Sequence, residues 1–343
     1  MVHVYGFVIV SITVPFSIDM TGVRSPKRSG YFWRKIPYYM VPVSRIPPRP
    51  ELQLIGIDYR KIPVLAINDT VYCDTFMIAQ ALEECHPVSQ SHPSLYPKNL
   101  STGRAENAGL QKLLVQFWTD RSMFSVAAGL LPWKLFPKEF IKDRSSFRAT
   151  EIDPNKMEQL KPFTLSQFQL HLELLEQQLN GNETEYLLNT AHPGYIDVSA
   201  FFLLHWLGEV GMKEKIFGEN EFPSVQKWMM RVEKYHESQQ RSSPCTKITG
   251  QRANELIGTP PLQSLSSSSD ARLFGLGTDV AVVPEDSGKI PTYGKLVGID
   301  RQRILLDVQR RDGSGRSCRV CFPRLGFLIL PHDSKRTVGF GKL

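Results

Sequence analysis

A chain of 343 residues with 41% hydrophobic content has room for two or three globular domains of about 100–200 residues each. Its formal charge of +7 is uneven: residues 21–61 hold nine Lys and Arg against Glu51 and Asp58, residues 279–343 hold twelve against seven acids, and residues 62–278 hold twenty against twenty-four. Five scattered cysteines, Cys73, Cys85, Cys245, Cys318 and Cys321, exclude a secreted disulfide framework and point to a reducing, cytoplasmic compartment.

Val2 to Phe16, VHVYGFVIVSITVPF, is apolar and β-branched, and part of it reads as a first strand. It lacks the positive n-region and small-residue cleavage site of a signal peptide, and it is short of the roughly 20 residues a membrane span needs, so no membrane partner is expected. The composition turns basic through Arg24–Gly30, and Ile36 to Val43 then reads as an extended run demoted toward a sheet edge by its prolines.

The stretch from Ile46 to Glu84 carries the most functional information. Ile62-Pro63-Val64-Leu65 opens a strand with a proline, which cannot donate to a ladder and is often cis in such a place. That geometry would leave the backbone of Val64 free to pair with an extended peptide-like ligand. After a short hairpin, Asp74-Thr75 precedes the apolar run Met77, Ile78, Ala81, Leu82. A carboxylate, a hydroxyl and first-turn N–H groups at a helix start suit a ligand's amine and carboxylate. Cys73, beside them, reads as packing.

From about Ala105 the period becomes helical. Leu110, Leu113, Leu114, Phe117, Trp118 and Phe124 recur at three- and four-residue intervals, predicting one buried face. Phe168, Leu172, Leu175 and Leu179 repeat the pattern before Gly181. Residues 192–207, HPGYIDVSAFFLLHWL, are apolar nearly all round and predict a buried central helix, with Asp197 satisfying the helix start beside Gly194. Phe222, Val225, Trp228, Met229, Val232 and Tyr235 predict another amphipathic helix.

Ser264–Asp270, SLSSSSD, reads as low-complexity linker. Beyond it, residues 279–283, 295–299, 303–308, 316–322 and 326–330 read as five short strands, a small barrel or SH3-like module. Cys318 and Cys321 share CxxC spacing without a second pair or His cluster, so no metal is expected. In a strand they would point to opposite faces. Stacking platforms near the C-terminal basic residues are few, with Tyr293, Phe322 and Phe327 the candidates, so nucleic acid is disfavoured as a partner.

The pattern Ile-Pro-Val-Leu, hairpin, Asp-Thr resembles the second half of the thioredoxin-fold domain of glutathione S-transferases. The Gly194 to Asp197 spacing is similar to the capping box of that family's buried helix, with Gly in place of Ser or Thr. RPEL, YRKIPVLA, VYCDT, the HWL helix and FPRLGF resemble a group of long fungal members. The resemblance implies an α/β thioredoxin-like domain (36–92), an all-α helical bundle (103–240), a linker (241–277) and a small all-β SH3-like barrel (278–335). In the family, the residue after the cis-proline pairs with the cysteinyl backbone of glutathione and the acidic-Ser/Thr pair holds its γ-glutamyl end. Pro63, Val64, Asp74 and Thr75 are the matching binding positions, with glutathione as co-substrate, a small electrophile as partner and a homodimer as assembly.

The catalytic Ser, Cys or Tyr of the family opens its first helix, where related fungal members often read Ser-Pro-Tyr. The match here is Ser25, but Ser25-Pro26 runs into Lys-Arg-Ser-Gly, a poor helix start. Residues 1–35 therefore depart from the pattern, through divergence or through translated non-coding sequence. The resemblance implies an electrophile wall from the helix bearing Phe117, Trp118, Met123 and Phe124, although their helical spacing predicts that most of them are core. The alternative to a transferase is a non-catalytic scaffold on the same fold.

Overall fold

A computed structural model describes residues 7–11 (as backbone), 36, 38–86, 88–89, 93–104, 107–181, 185–219, 221–240, 245–258 and 275–332. The N-terminal half is built on β1 (Phe7–Ser11), β2 (Tyr38–Pro42), α1 (Pro50–Leu54), β3 (Val64–Ile67), β4 (Thr70–Cys73) and α2 (Thr75–Cys85). β1 pairs in parallel with β2 and antiparallel with β3, and β3 pairs antiparallel with β4, giving the order β4-β3-β1-β2. All four residues of β3, VLAI, are buried, as a continuous apolar run in a central strand requires. Asn68 takes a left-handed φ of 56° at the hairpin, a conformation its short polar side chain tolerates.

The helical half comprises α3 (Ala108–Leu113), a π-helical stretch over Leu114–Met123, α4 (Phe124–Gly129), α5 (Lys138–Arg148), α6 (Pro154–Asn180), α7 (Tyr195–Glu209), α8 (Lys213–Phe217) and α9 (Pro223–Gln240). In α6 the buried residues are Phe168, Leu172, Leu175 and Leu179, the predicted stripe. In α7 nine of fifteen residues are buried, so it is the central helix of the bundle.

The first helical segment departs from expectation. Leu110, Leu113, Phe117 and Phe124 are exposed, while Gln111, Val115, Thr119, Met123 and Ala127 face the core. The inward residues recur every four positions because the i→i+5 bonding of the middle stretch widens each turn. A reading based on a uniform period of 3.6 therefore keeps Leu114 and Trp118, which pack partly buried against the core, and misplaces Leu110, Leu113, Phe117 and Phe124.

The start of α7 shows how the missing cap is replaced. Asp197 accepts hydrogen bonds from the N–H of Gly194 (2.9 Å), the N–H of Leu187 (3.0 Å) and the indole N–H of Trp228 (2.8 Å). Oε1 of Gln111 accepts from the N–H of Ile196 at 3.3 Å, satisfying a first-turn donor from a neighbouring helix. A Cβ on residue 194 would lie 2.5 Å from that same oxygen, so a side chain here would require the Gln111 amide to move.

The segment expected as linker contains β5 (Cys245–Lys247) and α10 (Gly250–Leu256). β5 extends the sheet beside β2, and α10 packs near α1. Ser264–Asp270 lies outside the described residues.

The five expected C-terminal strands are β6 (Asp279–Pro284), β7 (Thr292–Ile299), β8 (Arg303–Gln309), β9 (Ser317–Pro323) and β10 (Phe327–Pro331), antiparallel in the order β10-β6-β7-β8-β9. β9 then pairs in parallel with β4, joining Thr70 to Arg319 and Tyr72 to Cys321, so one ten-stranded sheet runs through both regions. Ile57, Tyr59, Val71 and Cys73 share a core with Leu306, Val308, Val320 and Phe322. The ring of Tyr59 meets that of Phe322 edge-on at 5.8 Å. Cys318 faces this core, whereas Cys321 faces a separate cluster with Met77 and Leu305, so the pair does point to opposite sides of the strand. Buried Arg310 donates to the carbonyls of Asn254, Ile257 and Gly258, tying α10 to the C-terminal strands.

Candidate functional site

Asp74 is the N-cap of α2, and its Oδ1 accepts from the N–H of Phe76 at 2.9 Å. Its backbone sits at φ 77° and ψ 139°, a region that residues with a Cβ avoid. Holding it there costs about 1–3 kcal/mol, and such strain gathers where a ligand is bound. Burial pushes its carboxyl up, Phe76 and Lys61 draw it down, and Asp286 pushes it up again. Thr75, the next residue, is exposed at the helix start.

The Ile62-Pro63 bond is cis. Val64 lies inside the sheet, opposite Val10 on one side and Cys73 on the other, so its backbone is already committed to the ladder. The open main chain is two residues earlier. Among the described residues, neither the N–H nor the C=O of Ile62 finds a hydrogen-bond partner.

Sequence reasoning missed three charged groups that converge here. Lys61 precedes Ile62 and is held by both oxygens of Asp286, in the β6–β7 loop, at 2.7 and 2.6 Å. Its charge also bears on Asp74 and on Asp120 of the π-helical stretch. Asp120 keeps an exposed flank, yet loss of water around its carboxyl, reinforced by the Asp74 charge, pushes it up to about 7. Buried Tyr195 at the head of α7 feels Asp120 and Asp74, and burial raises its hydroxyl well above the usual range. The segment YRKIP could have signalled Lys61 by adjacency to the proline. Nothing local marks Asp120 or Asp286, which reach the site only through the fold.

Of the expected electrophile wall, Met123 is fully buried and Trp118 donates its indole N–H to Nδ1 of His171 at 3.0 Å, so both serve the helical core. Phe117 and Phe124 remain exposed, the first beneath the Arg121 guanidinium and the second stacked on Trp206. Cys73 is buried and its thiol is pushed well up by burial, which removes it as a nucleophile. Ser25 lies outside the described residues. Among the described residues no cluster of His, Cys, Asp and Glu is placed to hold a metal, and no helix is long and apolar enough to cross a membrane.

Residues 31–92 match the family model of the glutathione S-transferase N-terminal domain, and residues 127–241 match that of a domain of unknown function (DUF7962). No curated protein matches the chain by sequence. Among solved structures, a GST-like protein from Pseudomonas syringae shares the fold over 95% of this chain and 99% of its own, with a TM-score of 0.64 and 21% identity. A rice glutathione transferase in complex with glutathione aligns over 74% of this chain and 95% of its own, at TM-score 0.47 and 16% identity. A glutathione S-transferase from Methylobacillus flagellatus with glutathione bound aligns over 70% and 100%, at TM-score 0.43 and 16% identity. The chain is glutathione S-transferase-like, with a thioredoxin-like domain, a helical domain and an added C-terminal sheet of five strands.

Proposed function

We propose that the chain binds glutathione along Ile62 and the start of α2, and uses it as a co-substrate against a small electrophile. The observation that carries this reading is the strained backbone of Asp74 beside the unpartnered main chain of Ile62. An extended γ-glutamyl peptide would pair its cysteinyl backbone with Ile62, directly before Pro63 and Val64, which set the strand's direction. Its γ-glutamyl carboxylate would meet the first-turn N–H groups and hydroxyl of Thr75, and its ammonium the carboxylates of Asp74 and Asp120. Ser25 is the proposed hydroxyl that stabilises the thiolate, the nucleophilic form of the thiol. Phe117 and Phe124 offer an apolar face to the electrophile, and Leu110 and Leu113, exposed on the same segment, are proposed as part of a homodimer contact in a cytoplasmic protein.

Retention on immobilised glutathione tests the binding half. Asp74→Ala should abolish retention, while Ser25→Ala should keep retention and lose conjugation of a chromogenic electrophile. Failure of the unaltered chain to be retained sinks the reading. A second reading, a non-catalytic scaffold, is favoured by the engagement of Lys61 with Asp286. It predicts retention or assembly with no conjugation by any variant.

A further inference from the structure

The C-terminal sheet does more than cover an edge. Its β6–β7 loop enters the boundary between the two N-terminal regions at two points. Asp286 grips Lys61. The N–H of Gly288 donates to the carbonyl of Phe147 in α5 at 2.8 Å. The N–H of Glu285 donates to the carbonyl of Gly326, which ties the start of the loop to the β9–β10 turn of its own sheet. Gly288 takes φ 64° and fits so closely that a Cβ there would lie 2.5 Å from the Phe147 ring. The loop is therefore seated, with the Asp286 carboxylate on the cation next to the open main chain of Ile62.

Three carboxylates, those of Asp74, Asp120 and Asp286, bear on the single ammonium of Lys61. A ligand lying along Ile62 with its amino end at Asp74 would bring its far carboxylate toward Lys61. That carboxylate would meet a position already filled by Asp286. We infer that Asp286 is an in-cis competitor for Lys61, so that the C-terminal sheet gates the glutathione site by exchange of one carboxylate for another. This rests on the binding mode proposed above. The pair is partly exposed, 25% at Lys61 and 58% at Asp286, which makes it weak enough for a ligand to displace.

The test is calorimetric titration of glutathione into the full chain and into Asp286→Asn, Lys61→Gln and the double variant, with hydrogen exchange at the Gly288 amide. Asp286→Asn should bind about two- to five-fold tighter, the range expected for releasing a partly exposed ion pair. The gain should vanish when Lys61 is already Gln, and saturating glutathione should speed exchange at Gly288 in the unaltered chain. Unchanged or weaker binding by Asp286→Asn, with the unaltered chain still binding, overturns the gate and leaves the glutathione reading standing. A gain that persists in the Lys61→Gln background also overturns it, as a general charge effect. Absence of binding by both the unaltered chain and Asp286→Asn overturns the glutathione reading and the gate together.

Discussion

The helical domain and the sheet are stabilised in different ways. The helical core draws on one nearly continuous stretch, from Ala79 to Val232, and closes around a buried polar hub at Asp197. The sheet's core is assembled from three distant segments, Val41 to Cys73, Ala253 to Ile257 and Val280 to Phe327. Continuous segments fold around themselves at small loop-closure cost, whereas distant ones must first be brought together. The difference teaches that the boundary holding the candidate site is supported from one side by a self-sufficient bundle and from the other by strands from the C-terminal part of the chain.

The strongest way to break the bundle's side is through its hub. Asp197→Ala should cost about 3–5 kcal/mol in denaturant unfolding, because it orphans the buried donors of Gly194, Leu187 and Trp228. The amides of β7 and β8 should keep their exchange protection if the two cores are separate units.

A cut on the sheet's side should spread further. Leu306→Ala, at a fully buried position, should cost about 2–5 kcal/mol and loosen the amides of β3 and β4 as well as those of β8. Loss of protection confined to β6–β10 would show that the C-terminal strands unfold independently of the thioredoxin-like sheet.

Smaller in size is the exchange of cap for neighbour at α7. Gly194→Ser should destabilise by about 1–3 kcal/mol through its clash with Gln111, despite restoring a favourable cap residue. Adding Gln111→Ala should recover part of that loss, giving a non-additive cycle in thermal melts.

The smallest effect concerns pH. Asp120 has its carboxyl raised to about 7, above its unfolded value, so folding favours the protonated form. Its stabilising contribution is full below the unfolded carboxylate range and is lost as pH rises through about 7. Asp120→Asn should therefore flatten the decline in melting temperature between pH 5 and pH 8 by a small amount, about 1 °C, since the residue is partly open to solvent. The same variant should flatten the rise in glutathione affinity over that interval, where ionised Asp120 would attract the ligand's ammonium.

Sequence alone determined the elements whose signals are local. The run Val64-Leu65-Ala66-Ile67, the cap Asp74, the buried stripe of α6, the all-round apolar α7 and the five C-terminal strands each carry their pattern within a few residues. Period and capping follow from backbone geometry and need no distant partner. Tertiary structure decided the rest. It turned α3 and its π-helical continuation by widening the turn, it engaged Val64 on both sides and left Ile62 open, and it put Gln111 where a serine cap would stand. It also paired β9 with β4 and delivered Asp286 to Lys61 across 225 positions. Such contacts depend on which surfaces meet when the cores close, and that choice leaves no periodic trace in the chain.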